Sequence, residues 1–296
     1  CGDDVARSLG TDPGRRGGVV TWGNTMMKVE GSGAFRAMLG DSAGNTDDYV
    51  LVGNILQHLS GKTSGVRILY TDTCDPRTDP NVCHIGPLDI LTPFYNMVAS
   101  IGTITYGGMS SVQLADYDVV IADFCSLPSQ DYDVFRSYLL ADGPAMVLAD
   151  NFCWRGTSSS TASLGNTVMA DFGVTFSASE LADRGRLQIS SAEQSGLLAG
   201  VSNLSLWRMT SQVISHGFVP VVTVRRGNPR VGTTEYVLYT IHEGPLTANA
   251  TAAAPVRGPA TSGRPRTEEP APLGTALAQS LVARLVMEER TLVRTD

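Results

Sequence analysis

The residue best equipped for chemistry is Cys153, in the stretch Ala149–Gly156, "ADNFCWRG". It stands just past "PAMVL", an apolar run that reads as a strand, and several hydrolases place a nucleophilic thiol at the end of such a strand. Acids gather at comparable places. Asp123 and Asp150 each close an apolar run, and Asp72, Asp75 and Asp79 follow another. Asp72, Asp123, Asp150 and Trp154 are therefore the candidates for lining a ligand edge, since open α/β sheets bind ligands beyond the carboxyl ends of their strands. The competing reading is structural: strand-end aspartates cap helices and turns, and tryptophans pack. Gly107 and Gly108 form a turn that lacks a complete phosphate-binding pattern, and the aspartate spacing matches no calcium loop. No cofactor and no metal site are expected.

The elements that would position these residues follow from periodicity. "GVVTWGN" is a short strand. "DSAGNTDDYVLVGNILQHLSGK" is a helix capped by Asn45 or Thr46, with Val50, Ile55, Leu56 and Leu59 as its apolar face and Gly61 as its stop. Strand "VRILYTD", helix "LDILTPFYNMVASIG", strands "TITYGG" and "YDVVIADF", helix "SQDYDVFRSYLLADG" and strand "PAMVLADN" come next. Strands alternating with helices indicate βαβ units and a mostly parallel sheet, hence the α/β class. A helix "SLGNTVMADFG" and the β-like pieces "VTFSA", "GRLQIS", "VPVVTVRR" and "EYVLYTIHEG" complete residues 19–244, read as one domain. Residues 1–18 read as a tether and 245–272, rich in Pro, Ala and Thr, as a linker or long loop. Over 273–296, Leu277, Leu281 and Leu285 recur at helical spacing, so a C-terminal helix is expected there. Its apolar stripe would dock on its own domain or serve a protein partner or second copy.

Composition bounds the rest. A 296-residue chain with 42% hydrophobic and 17% charged residues suits a folded domain, and a net charge of -7 with no basic stripe excludes a general nucleic-acid binder. No apolar run approaches the roughly 20 residues that span a bilayer. The sequence begins "CGDD", which resembles a bacterial lipoprotein after removal of its signal peptide. That resemblance implies lipidation of Cys1, an extracytoplasmic protein held at the outer membrane or cell surface, and an oxidising compartment. Cys74, Cys83, Cys125 and Cys153 then remain, an even number. Cys74 and Cys83 bracket a short Pro- and Asp-rich loop that a disulfide would close. Cys125 ends the strand expected beside the one leading to Cys153, so Cys125–Cys153 is the other expected pair. A free structural thiol and a nucleophile stay open for Cys153, because four cysteines allow three pairings.

The order from Val66 to Gly244 resembles the flavodoxin-like three-layer sandwich of class I glutamine amidotransferase-like domains, including non-catalytic and trehalose-utilisation-type relatives on secreted bacterial proteins. "YDVVIADF" with its helix and "ADGPAMVLADN", then "SLGNTVMADFGVTF", then "SGLLAGVSNLSLWRMTSQVI" carry the likeness; Ser195-Gly196 stand where the family has His-Pro. For catalytic members the resemblance implies a cysteine nucleophile, a histidine and a glutamate, which map onto Cys153, His242 and Glu243. Bulky Phe152 and Trp154 flank the cysteine, and Gly156 falls one place late for a tight elbow. The expectation is therefore a non-enzymatic interaction or structural subunit. A cysteine-dependent amidase and a glycan-binding or glycan-processing module are the alternatives.

Overall fold

The apolar runs of the first half lie side by side as parallel strands. The computed structural model describes residues 17–25, 46–72, 88–150, 161–180, 186–206, 209–228, 232–248 and the backbone of 283–286. Strand β1 (Val19–Trp22) precedes helix α1 (Asp48–Ser60) and β2 (Val66–Tyr70), which are followed by α2 (Leu88–Ile101) and β3 (Gly102–Tyr106). Then come β4 (Val119–Asp123), α3 (Tyr132–Leu140), β5 (Ala145–Leu148) and α4 (Thr161–Met169). The second half is mostly strand: β6 (Val174–Glu180), β7 (Arg186–Gln188), β8 (Asn203–Ser205), β9 (Thr210–Ile214), β10 (Val219–Asn228), β11 (Gly232–His242) and β12 (Ala283–Val286).

The main sheet runs β12-β10-β11-β1-β5-β4-β2-β3, with β9 attached to β11 and β6 to β9. From β1 to β3 every pairing is parallel. β11 turns the sheet antiparallel, pairing Val19 with His242 and Trp22 with Tyr239. Alternation along each parallel strand divides the core in two. Val20, Trp22, Ile68, Tyr70, Ile121, Met146 and Leu148 face one side, where Leu51, Ile55 and Leu56 of α1 and Phe94 and Val98 of α2 cover them. Val19, Leu69, Val120, Ala145 and Val147 face the other, under Phe135 and Tyr138 of α3 and Val168 and Met169 of α4. Helices thus cover both faces of a mostly parallel sheet. The two-stranded β7-β8 ribbon adds Leu187 and Leu204 to the α1–α2 side.

Three expectations change in detail. Asp47, not Asn45 or Thr46, precedes the first turn of α1, and its carboxylate accepts the amides of Ser202 and Asn203 instead of capping the helix. Val50 is exposed, and Leu51 and Val52 take the buried face, because the helix sits rotated toward α2 and the sheet. The linker expected from residue 245 begins inside the fold, since Leu246 is buried in the α3–α4 core.

The C-terminal helix expected over 273–296 is corrected within its span: Ala283–Val286 form a strand, parallel to Val222–Arg225 of β10. On that side β10 offers unpaired backbone groups, and a sheet edge of this kind overrides the helical period of a short apolar segment.

Candidate functional site

The direction of chain progress across the sheet reverses at one place. From β2 the chain steps outward to β3, then crosses back to β4 and proceeds to β5 and the neighbourhood of β1. The carboxyl ends of β2 and β4 therefore flank a switch point, where α/β sheets leave a crevice. Three long connections also leave from this edge, residues 23–47 after β1, 71–87 after β2 and 149–160 after β5, whereas residues 243–282 follow β11 from the amino edge. At the opposite, amino edge, only residues 61–65 join α1 to β2, and β3 follows α2 directly.

Three of the four ligand-edge candidates stand at this carboxyl edge. Asp72 lies two residues past β2 and is buried, Asp123 ends β4, and Asp150 lies two residues past β5. The Tyr70 hydroxyl donates to Asp123 Oδ2 at 2.7 Å, the amide of Cys125 donates to Asp123 Oδ1 at 2.9 Å, and the amide of Asp123 donates to Thr71 Oγ1 at 3.1 Å. Burial, reinforced by the Asp123 carboxylate, raises the Tyr70 phenol well above its ordinary value. Tyr70 is thus a permanent hydrogen-bond donor and no acid at physiological pH.

Asp150 is fully buried and equally committed. Its Oδ2 accepts the amide and hydroxyl of Thr25 at 3.1 and 3.0 Å, and Thr161 Oγ1 lies 3.0 Å from its Oδ1. Its own amide donates to Thr161 Oγ1 at 2.8 Å, and its carbonyl accepts the amide of Ala162. One carboxylate therefore fastens the exit of β1, the exit of β5 and the start of α4, closing both ends of segment 151–160. Asp131 does the same beside β3, accepting the amides of Met109 and Ser110 at 2.7 and 3.2 Å just after Gly108. Capping and stapling account for these acids, the structural alternative weighed for Asp123 and Asp150. Asp131 had no signal in the sequence, because its partners lie 21 and 22 residues away.

His242 and Glu243 emerge elsewhere. Because β11 runs antiparallel to β1, His242 pairs with Val19 at the amino edge, level with Ala145 at the start of β5. Asp150 is five residues further along, about 16 Å, and β5 lies two strands across, about 10 Å. His242 and Glu243 thus stand at the edge opposite the one where the chain passes into residues 151–160. There Glu243 Oε1 lies 3.4 Å from His58 Nε2, at the last turn of α1, and the Phe218 ring packs on His242 with centroids 5.1 Å apart. Asp142, in a left-handed conformation at φ 59°, lies close enough to His242 for their charges to interact. Burial raises its carboxyl above the ordinary aspartate value, and the His242 charge partly offsets this. Neither Asp142 Oδ1 nor His242 Nδ1, both buried, has a hydrogen-bond partner.

Cys1, Cys74, Cys83, Cys153 and Trp154 lie outside the described residues. Cys125 is engaged in a disulfide. Among the described residues no three His, Cys, Asp or Glu side chains are grouped as a metal ion requires, and no helix is long and apolar enough to cross a membrane. Comparisons of the chain with models of known families, with characterised proteins and with solved structures gave no match.

Proposed function

We propose that the chain is a lipid-anchored, extracytoplasmic subunit that acts by interaction and not by catalysis, built on a flavodoxin-like sandwich of the glutamine amidotransferase-like type. The order β3-β2-β4-β5 supports the fold reading. It follows the flavodoxin order 2-1-3-4-5 when β2 is counted first, with the N-terminal β1 in the fifth place. The observation that carries the functional reading is the separation of polar groups between the two sheet edges. His242 and Glu243, the residues a thiol hydrolase of this kind would need beside Cys153, stand at the amino edge, while the carboxyl-edge acids Asp123 and Asp150 are spent on turns. The surface proposed for a partner is the carboxyl edge, opposite the amino edge at which the chain enters β1.

The test is chemical. The native chain is treated with iodoacetamide and, separately, with the glutamine-mimicking electrophile 6-diazo-5-oxonorleucine, then mapped by mass spectrometry. Cys153 is expected to stay unmodified until the protein is reduced and unfolded. Stoichiometric labelling of Cys153 by the glutamine mimic in the native protein would establish a working nucleophile and end the non-catalytic reading.

A further inference from the structure

Arg186 is the first residue of β7 and pairs with Ser205 of β8. Its guanidinium is half-withdrawn from solvent: Nε and Nη2 are both buried, and neither has a hydrogen-bond partner among the described residues. These two nitrogens form one edge of the planar group, with parallel N–H bonds at the spacing of the two oxygens of a carboxylate or a phosphate. A permanently charged group whose bidentate edge is buried without a protein acceptor is a costly arrangement, because desolvated donors on a cation lose more than neutral ones.

Asp48, the buried acid of α1 that meets β8, is already committed. The amide of Ile189 bonds to the carbonyl of Ser202, which makes 189/202 and 187/204 hydrogen-bonded pairs and 186/205 a non-hydrogen-bonded one. The amide of Ser205 therefore points away from β7, where it meets the buried carboxylate of Asp48 at 3.2 and 3.3 Å. Asp48 also takes the hydroxyl of Thr46. It serves the outer side of β8, and the strand stands between it and Arg186.

We propose that Arg186 is the receptor of an oxyanion-binding site, its Nε–Nη2 edge taking two oxygens of a ligand carboxylate or phosphate. The site lies on the β7-β8 ribbon on the α1–α2 side of the sheet, apart from the strand-end acids, and does not depend on the proposal of a non-catalytic subunit. Its occupant shares one chemistry, a flat two-oxygen face with negative charge, and the source is separated by experiment.

The full chain labelled with 15N is titrated with sodium acetate and, in a second arm, with inorganic phosphate, at ionic strength held constant with chloride, while the arginine Nε–H signals are followed. One signal, missing from R186Q, shifts saturably. Saturation by acetate assigns a carboxylate ligand, and saturation by phosphate alone assigns a phosphate. Backbone amide shifts of the β7-β8 ribbon, followed in the same titrations, report the affinity of each variant, and R186Q weakens it by about tenfold or more, the loss expected for a bidentate charged pair. R186K keeps the charge without the fork and falls between the two. Without anion, R186Q unfolds at a higher temperature than the parent, since it removes an unpaired cation. A shift that never saturates, an unchanged titration in R186Q, or a lower unfolding temperature for anion-free R186Q overturns the proposal.

Discussion

The assignment of Asp150 to the fold rather than to a reaction makes a quantitative prediction. Replacing it by alanine takes the carboxylate from two donors, the amide and the hydroxyl of Thr25, while the hydroxyl of Thr161 keeps the main-chain carbonyl of Asp150, 2.7 Å away, which alanine retains. Each buried donor that loses its acceptor costs about 1–3 kcal/mol, and local collapse returns part of the total, so Asp150→Ala should lose about 3 kcal/mol. For a domain of this size that is a fall in melting temperature of about 6–12 °C. Asp150→Asn keeps one acceptor but turns an NH₂ toward donors, and about 2 kcal/mol is expected. Thr25→Val removes one hydroxyl and should cost about 1 kcal/mol. Urea unfolding of the two single variants and the double variant gives the coupling between Asp150 and Thr25, expected at 1 kcal/mol or more because the groups touch. Amide exchange at Thr25 supplies a local readout. An Asp150→Ala protein within about 1 kcal/mol of the parent, with the Thr25 amide still protected, would refute the fastening role and return Asp150 to the ligand edge.

Three further outcomes follow from charge and geometry. Asp118 is buried and accepts Lys62 Nζ and Arg67 Nη2 at 2.8 Å each and the amide of Arg67 at 3.0 Å. Burial alone would raise its carboxyl, but these donors hold it below the usual carboxylate range. Its contribution is therefore full above about pH 4, the unfolded value, and disappears as pH falls through the lower folded one. Asp118→Asn should cost about 2 kcal/mol at pH 7, discounted for the half-exposed cations, and the gap in urea midpoints should close in acid. Asp142 has the opposite sign. Its carboxyl is raised, so its stabilising protonated form is lost as pH rises through the folded value. Asp142→Asn, which tolerates the left-handed backbone, should raise the melting temperature at pH 7 and do so less at pH 4; equal gains at both would show that ionisation plays no part. Tyr70→Phe leaves Asp123 without its buried hydroxyl partner and should cost about 1–3 kcal/mol in urea unfolding.

Much of the first half of this fold was legible because its signals are local. "VVIAD" and "AMVL" are buried on both faces, "VRILY" is buried except at Arg67, and all three are short apolar runs, so periodicity and length identify them. Gly61 marks the end of α1 because it takes the left-handed conformation at φ 67° that stops a helix. What stayed hidden was long-range. Asn203–Ser205 and Thr210–Ile214 are short strands whose pairing partners decide their existence. The direction of β11 is invisible in "EYVLYTIHEG", yet it alone decides the edge at which His242 and Glu243 emerge. Thr25 and Asp150 lie 125 residues apart, and nothing in either neighbourhood announces the bond between them. Strand-end acids were correctly placed at one edge, but whether they face a ligand or a backbone amide depends on neighbours that only the folded chain brings together.

The pairing of Val19 with His242 has a consequence beyond the placement of side chains. It leaves Val19 and His242 on adjacent strands, about 5 Å apart at their backbones. The two ends of this stretch therefore meet at the amino edge, and a splice or permutation made there has to carry along Leu246 and β12, which follow His242 and belong to the same fold. Permutation is best tolerated at exposed connections that carry no fastening bond. Neither the turn at Lys62–Gly65, tied to Asp118, nor Ser191–Gln194, where Glu193 accepts the amide and hydroxyl of Ser190 and Gln194 donates to the carbonyl of Ile189, meets that condition.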